Sequence, residues 1–273
     1  MNKIIVNGDK ISLDISSSLD VEVIEKKDVF DITKIKISTL KSTSLVIEYN
    51  SIDEAKLDIL IEVKENDYLK LYELRCEDKI KVQYKYYLNR NSNLLVNKFY
   101  DCNKVKELDV IYLNGEFANV DYNYNSISKN KQNLDIVVYH NAKNTISNLI
   151  NKAVNFKDGC TKFNVTGIVY NGINDCIINQ SNRIINLNDK KCTINPILII
   201  DENDVEANHS ALIGKFSDKE LFYLMSRGIT EEKALNLLIK GFLNVDVKNK
   251  KKLDQIINKY WRWFKWIEKI LCF

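Results

Sequence analysis

Apolar and polar residues alternate along much of the first 130 positions of this 273-residue chain. Segments 11–15, 57–63 and 80–86 each place an apolar side chain at every second position, with mostly charged or polar residues between. Successive side chains of a strand point to opposite faces, so this pattern is typical of strands with one buried face. The sequence therefore predicts sheets that bury one side.

The turns between these strands have an unusual composition. The chain contains one proline and eight glycines, too few for a sandwich built on Gly/Pro turns. Asparagine outnumbers glycine roughly four to one, and asparagine also tolerates left-handed turn geometry. Short strands separated by Asn-centred corners fit a β-solenoid at least as well as a set of hairpins.

Bulk composition excludes several classes of protein. With 45% hydrophobic and 28% charged residues, the chain has the composition of a soluble globular protein, and its net charge of +3 gives no indication of nucleic-acid binding. No apolar run approaches the roughly 20 residues that span a bilayer. Asp9 and Asp14 interrupt the early apolar residues, so we expect no signal peptide and a cytoplasmic location.

The six cysteines form no C-x-x-C pair, so we expect neither a disulfide framework nor a preformed zinc site. We interpret most of them as buried thiols. Three of them are equally spaced along the sequence, and equal spacing can stack identical residues in successive coils of a solenoid. These three are Cys160, Cys176 and Cys192.

Two helices are predicted after the apolar run 197–200 and the acidic turn that follows it. Ser217 and Glu220 form a capping box at the start of the first helix. Gly228 suits the left-handed residue that ends such a helix, and Thr230 can cap the second. Apolar residues recur at helical spacing in both segments, which predicts a helical hairpin.

The C-terminal segment 248–273 carries an apolar stripe, three tryptophans, eight basic side chains and two acidic ones. A basic, Trp-rich amphipathic helix can lie on an anionic membrane surface. We favour the alternative, a final helix that packs on its own core or on a partner, and we therefore expect no membrane contact.

A family resemblance extends these patterns. The stretch Pro196–Phe242, with P-I-L-I-I-D-E-N-D-V followed by H-S-A-L-I-G, L-F-Y-L-M-S-R-G-I and A-L-N-L-L-I-K-G-F, resembles the C-terminal core of the SufB/SufD family. These proteins are scaffold subunits of the Suf iron–sulfur cluster assembly machine. Blocks at 134–148, 163–167 and 180–182 are also similar, and the likeness is weak over 50–133. The resemblance implies a mainly β protein, with a right-handed parallel β-helix core over 1–216 and a C-terminal helical subdomain over 217–273.

The resemblance also implies candidate ligands of a cluster. His209 falls on the SufD histidine associated with cluster assembly, and neutral imidazole is a good ligand for iron. Ser210 follows it where SufB members have a glutamate, which favours a SufD-like protein. Cys192, beside two lysines, is the second candidate, because a thiolate there would be a soft ligand. A buried structural role for Cys192 is the alternative, and His140 is interpreted as a buried or turn residue without chemistry.

By resemblance, the protein is a non-catalytic SufD-like subunit that pairs with a SufB-like subunit around 192–209. It docks a SufC-like ATPase on the helices around 218–242 and shares a transient iron–sulfur cluster at an interface. The chain itself has no ATP site, since 212–216 lacks the glycine and the Ser/Thr of a P-loop. The predicted partner-binding residues are Phe222, Tyr223, Arg227, Gly228, Ala234, Leu238 and Phe242.

Two alternatives stay open. The first is a SufB-like scaffold that acts as a homodimer, with Cys192 as the principal ligand. The second is a metal-free β-solenoid binding protein attached to a membrane surface by its tail.

Overall fold

The structure is a computed structural model that describes residues 2–7, 10–25, 32–49, 55–76 and 79–244. It is mainly β, with two helices near the C-terminal end of the described chain. The predicted tail helix over 248–273 lies outside the described residues. The strands are β1 (Asn2–Asn7), β2 (Lys10–Asp14), β3 (Leu19–Glu25), β4 (Thr33–Thr39), β5 (Thr43–Tyr49), β6 (Ala55–Val63), β7 (Tyr68–Arg75), β8 (Lys79–Leu88), β9 (Asn93–Cys102), β10 (Lys104–Leu113), β11 (Asn119–Ser128), β12 (Lys131–His140), β13 (Ile146–Asn155), β14 (Cys160–Val169), β15 (Cys176–Asn186), β16 (Thr193–Ile200) and β17 (Val205–Gly214), and the helices are α1 (Asp218–Ser226) and α2 (Glu231–Leu243).

From β4 onwards, consecutive strands alternate between two sheets. One sheet has the order β17-β15-β13-β11-β9-β7-β5-β1-β2, and the other has the order β16-β14-β12-β10-β8-β6-β4-β3. Neighbouring strands from β4 to β16 pair in parallel, as β10 does with both β8 and β12. The chain therefore winds as a β-solenoid, which confirms the predicted parallel β-helix and decides against a set of hairpins.

The coils lengthen towards the C-terminus. Lys79 pairs with Lys104 in the next coil, whereas Lys162 pairs with Thr193, a longer step along the chain. Several corners are occupied by asparagines in the left-handed region, Asn66 at φ 62° and Asn91 at φ 52° among them. The Asn91 amide donates to Asn66 Oδ1 at 2.8 Å, so corners of neighbouring coils are bonded to each other.

The core lies between the two sheets and is filled by alternate residues of each strand. Ile59, Ile61 and Tyr84 from the predicted alternating segments are buried, and each fully buried aliphatic side chain of this size contributes about 1.5–3 kcal/mol. Side-chain amides on the outer faces form ladders across coils, as between Asn179 and Asn148 at 3.0 Å. These ladders favour the in-register stacking of successive coils.

The two ends of the solenoid differ. At the N-terminal end, β2 pairs antiparallel with β1, and β3 pairs antiparallel with β4. At the other end, β16 and β17, here called the terminal coil, each have one neighbour among the described strands. The terminal coil exposes large apolar side chains, namely Ile197, Ile199, Leu212 and Ile213.

The chain divides into two compact units, residues 1–213 and 214–273; the predicted domain boundary at 216/217 stays a prediction. In the second unit Ser217 accepts from the Lys219 backbone and Glu220 completes the capping box, as predicted. Gly228 is left-handed at φ 80°, and Thr230 caps α2. Within the described part of the chain, no helix has the length and apolar character needed to cross a membrane.

Candidate functional site

Cys192 lies just before β16 and His209 lies within β17, so the two residues belong to opposite sheets of the terminal coil. Cys192 directly precedes β16 and packs, partly buried, against the main hydrophobic core. In β17, Val205 and Ala207 pack inward, and the alternation of strand side chains places His209 on that same side. His209 is nevertheless exposed. Both predicted ligands therefore belong to the inner side of the terminal coil.

The Cys192 sulfur has defined polar neighbours. The buried Asn155 amide donates to it at 3.0 Å, and the Lys190 carbonyl lies 3.7 Å away. A second thiol, Cys160, donates to the Lys191 carbonyl at 2.9 Å. Burial raises the pKa of the Cys160 thiol, proximity to Cys192 raises it further, and Lys131 opposes this. Sequence reasoning did not single out Cys160 as a site residue.

Amide side chains line the interior just below the terminal coil. Asn151 donates to Asn182 at 2.8 Å, and Asn182 donates to the Ser210 carbonyl at 3.4 Å. Gln180 reaches across the interior to the Ile197 carbonyl at 3.5 Å. Within the described residues, Asn151 Oδ1 and Gln180 Oε1 are buried acceptors without a hydrogen-bond partner. The interior beneath Cys192 and His209 is therefore polar.

The ligand set is incomplete for a metal cluster. Among the described residues, no group of three or more His, Cys, Asp or Glu side chains is arranged to hold a metal ion. A thiol and an imidazole are both iron ligands, but clusters are commonly held by four such groups. Beside His209 the outer surface forms only a shallow depression of about 380 Å³, lined in part by Asn148, Asn179 and Asn208.

The structure does not bring the two predicted ligands together. His209 lies beside Gln180, to which Ser210 is bonded. Cys192, by contrast, is bonded to Asn155, the partner of Asn186. Gln180 and Asn186 are separated by roughly 20 Å along β15.

The helical unit has its own exposed surface. Phe222 is 74% exposed and Tyr223 59% exposed, and the Arg227 guanidinium lies 5.4 Å from the Tyr223 ring centre. A groove of about 360 Å³ is lined by Lys219, Glu220, Tyr223, Leu224 and Leu238.

Three other predicted partner-binding residues shape this unit from within. Ala234 is buried. Phe242 packs edge-on against Phe216 with ring centres 6.2 Å apart. Gly228 ends the first helical segment in a left-handed conformation. Among the described residues of this unit, Phe222 and Tyr223 are therefore the aromatic side chains most accessible to a partner.

His140 is buried, in agreement with its interpretation. Its Nδ1 lies 2.7 Å from Thr145 Oγ1, and its Nε2 lies 2.9 Å from Ser147 Oγ. Burial lowers the pKa of His140 to about 4, so the ring is neutral at physiological pH. Both ring nitrogens are engaged, which indicates a structural role.

Sequence reasoning missed a buried charge cluster in the middle of the solenoid. Lys98 lies 2.6 Å from Glu107 and 2.7 Å from Asp109, and Arg75 lies 3.4 Å from Glu73. All five side chains are fully buried. The sequence signal was the alternation along β10. Glu107 and Asp109 occupy the same alternate positions as the inward-facing apolar residues of that strand.

Together these features define a class of protein: a β-solenoid whose terminal coil has strands paired on one side only among the described residues and carries the two predicted ligands, Cys192 and His209. The profile of the SUF system FeS cluster assembly SufBD core domain matches residues 24–242. The match covers most of the chain, and the protein belongs to the SufBD family of iron–sulfur cluster assembly proteins.

Individual relatives agree with this assignment over shorter stretches. The iron–sulfur cluster assembly protein SufD of Bacillus subtilis is 35% identical over 113 residues, 41% of this chain and 26% of that protein. A SufBD family protein of Pyrococcus horikoshii is 48% identical over 54 residues, 20% of this chain and 12% of that protein. One from Mycobacterium tuberculosis strain H37Rv is 33% identical over 106 residues, 38% of this chain and 12% of that protein. The chain thus spans about a quarter or less of the length of these relatives.

Proposed function

We propose that this chain is a SufD-like, non-catalytic subunit of a cytoplasmic iron–sulfur cluster scaffold, and that its terminal coil joins it to a SufB-like subunit. The observation that carries the proposal is the edge formed by β16 and β17. Each strand has a single neighbour among the described strands, and Ile199 on β16 is 51% exposed. The 35% identity to a SufD over 113 residues supports the choice of SufD.

An exposed edge strand with apolar side chains promotes aggregation unless another strand, helix or loop covers it. Its free N–H and C=O groups form a template for another strand, and strand addition combines backbone hydrogen bonds with side-chain pockets. Two such strands, one in each sheet, would let a second solenoid continue both sheets at once. A SufB-like subunit with the same architecture fits that requirement.

The nascent cluster is the cargo of this interface. His209 supplies an imidazole, Cys192 offers a thiolate at a separate position of the terminal coil, and a SufB-like subunit supplies the remaining ligands. Sharing the ligands between two subunits accounts for the incomplete ligand set of this chain. It also fits the position of these ligands at β16 and β17, the strands that the second solenoid would cover. It also makes cluster binding dependent on assembly, so the isolated chain would hold iron poorly.

The helical unit docks a SufC-like ATPase. Phe222 and Tyr223 project from α1, and the groove beside Leu238 offers an apolar recess for a partner side chain. Exposed aromatic residues of this kind are common anchors at protein interfaces. Closure of an ATPase dimer would then strain the interface between the two solenoids and expose or assemble the ligands there. Such a change requires that the interface have two arrangements and that ATP shift the equilibrium between them.

The test is co-expression of the full chain with a SufB-like and a SufC-like subunit of the same organism. We expect a ternary complex that Ile199→Lys disrupts, because a charge on the edge strand opposes pairing. Tyr170→Lys, at a 54% exposed position of the solenoid, is the matched control and should leave the complex intact. A stable homodimer that loads a cluster without the SufB-like subunit would instead support the SufB-like alternative. Failure to bind either subunit would refute the proposal.

A further inference from the structure

A ladder of side-chain amides runs along the outside of each sheet and ends at the terminal coil. In the sheet that contains β16, the Asn164 amide donates to the Asp135 carboxylate on the preceding coil. Asn195 on β16 then donates to Asn164 Oδ1 at 2.7 Å. The backbone register pairs the same residues, so the three side chains form one column on the outer face.

The other sheet repeats this arrangement. Asn148 donates to Asp121 at 2.9 Å, and Asn179 donates to Asn148 at 3.0 Å. Asn208 on β17 donates to Asn179 at 3.3 Å and to the Glu206 carboxylate at 3.4 Å. The nitrogen of the last amide therefore has two acceptors within the chain, and this ladder also ends on a strand of the terminal coil.

The direction of each ladder is set by its first residue. Asp121 and Asp135 begin the two ladders, and the residues that pair with them on the preceding coil are Leu95 and Leu108, which offer no donor. An aspartate carboxylate at neutral pH only accepts hydrogen bonds. The first asparagine must therefore donate to it, and the oxygen of that asparagine accepts from the next coil. Every amide in the ladder donates backwards and accepts from the coil ahead.

Both ladders consequently present a carbonyl oxygen at the terminal coil. Among the described residues, no donor is bonded to Oδ1 of Asn195 or to Oδ1 of Asn208. In a continued sheet, side chains that lie directly opposite each other on one face have Cβ atoms about 4.5–5.5 Å apart. A strand added to β16 or β17 would thus place one of its own outward side chains against this oxygen.

We propose that the strands of the SufB-like subunit that extend β16 and β17 carry side-chain N–H donors, amide or basic, opposite Asn195 and Asn208. This chemistry rests on the proposed function, because it requires a partner that continues both sheets. A carboxylate at either position would set acceptor against acceptor, and such unmatched groups are a means by which interfaces reject wrong partners. The exposed Glu206 beside Asn208 adds a negative charge that favours a basic partner side chain.

The ladders also disfavour a second copy of this chain as the occupant of the edge. Wherever the ladders of two copies met, each would offer a carbonyl oxygen to the other. A copy could offer its amide nitrogen only by turning Asn195 or Asn208 around, which would break the bond to Asn164 or Asn179 on the coil behind. The direction of the ladders therefore favours a different solenoid, whose edge residues can donate.

The experiment measures the affinity of the full-length chain for the SufB-like subunit of the same organism by titration calorimetry. One variant carries Asn195→Lys and Asn208→Lys, which sets cations against the donors of the partner. The other carries Asn195→Glu and Asn208→Glu, which offers outward acceptors on side chains of similar length. We expect the lysine variant to bind about tenfold or more weakly than the glutamate variant. Circular dichroism checks that both variants are folded.

The matched control changes asparagines that lie away from the edge. Asn97 on β9 and Asn133 on β12 are half-buried residues of the same two sheets. Asn97→Lys combined with Asn133→Lys makes the same change of charge and should leave the affinity unchanged.

Equal affinities of the lysine and glutamate variants, or tighter binding by the lysine variant, would overturn the inference. Such a result would leave the proposed function standing, provided that the wild type binds the SufB-like subunit. A wild-type homodimer formed in place of that complex would overturn both, because the occupant of the edge would then be a second copy. Failure of the wild type to bind would refute the proposed function itself.

Discussion

The ammonium group of Lys98 on β9 lies 2.6 Å from the Glu107 carboxylate on β10, and both side chains are completely buried between the sheets. Asp109 lies 2.7 Å from the same nitrogen, and Glu73 lies 3.9 Å away. Burial by itself would lower the pKa of Lys98, but the carboxylates of Asp109 and Glu107 outweigh it and raise that pKa above its usual value. Lys98 therefore remains charged and holds the carboxylates together.

Replacing Lys98 with methionine tests this dependence. Lys98→Met keeps most of the side-chain volume but leaves buried carboxylates without their shared cation, which typically costs about 3–5 kcal/mol. Denaturant unfolding followed by circular dichroism should show a loss of this size. Lys81→Met, at an exposed position on β8, is the matched control and should change stability by less than about 0.5 kcal/mol. A small effect of Lys98→Met would mean that the cluster can neutralise itself by protonation.

The same cluster predicts a pH dependence of stability. Burial raises the pKa of Glu107 from 4.5 to about 7, Lys98 opposes the rise and Asp109 adds to it. Between these two values the folded chain holds a proton that the unfolded chain has released, so the free energy of unfolding falls as pH rises from 4.5 to 7. Glu107→Gln removes this titration and should flatten the slope in denaturant titrations at pH 5, 6 and 7. Equal slopes in the two proteins would contradict the assignment.

Most of the fold could be predicted because its determinants are local. The alternation around Ile59 and Tyr84 identifies inward-facing residues, and the capping box at Ser217 identifies a helix start. The charge cluster could not be predicted in this way. Glu107 and Asp109 share the inner face of β10 with apolar residues, but their partner Lys98 comes from a strand of the other sheet.

The cysteine spacing shows the same limit at the candidate site. Cys160 and Cys192 come to neighbouring strands of one sheet but lie one position out of register, and Cys176 does not stack with either. A full coil at this end runs from Lys162 to its partner Thr193, nearly the same step as from Cys160 to Cys192. Cys176 lies midway between those two cysteines, so it is half a coil from each and falls in the opposite sheet. The coil length follows from long-range pairing, which the spacing of three cysteines does not reveal.

A ligand role for His209 predicts a specific loss. His209→Ala in the complex with a SufB-like subunit should lower iron and sulfide content after anaerobic reconstitution, and it should leave folding intact because the side chain is exposed. Ser210→Ala, which changes the next residue of β17, is the matched control and should retain the wild-type content. Equal cluster content in the wild type and His209→Ala, with the complex intact, would remove His209 from the ligand set.

The helical unit gives the last prediction. Phe222 is 74% exposed on α1, and truncation of a central aromatic anchor commonly costs about 2 kcal/mol or more of binding free energy. Phe222→Ala should therefore weaken binding of a SufC-like ATPase by roughly 30-fold or more, as measured by titration calorimetry. It should not weaken pairing with the SufB-like subunit through the terminal coil. Tyr170→Ala, an exposed aromatic residue of the solenoid, controls for loss of surface area. A partner that buries the Phe222 ring gains binding free energy, and Phe222→Ala removes that gain. Unchanged ATPase affinity in Phe222→Ala would therefore place the docking surface elsewhere.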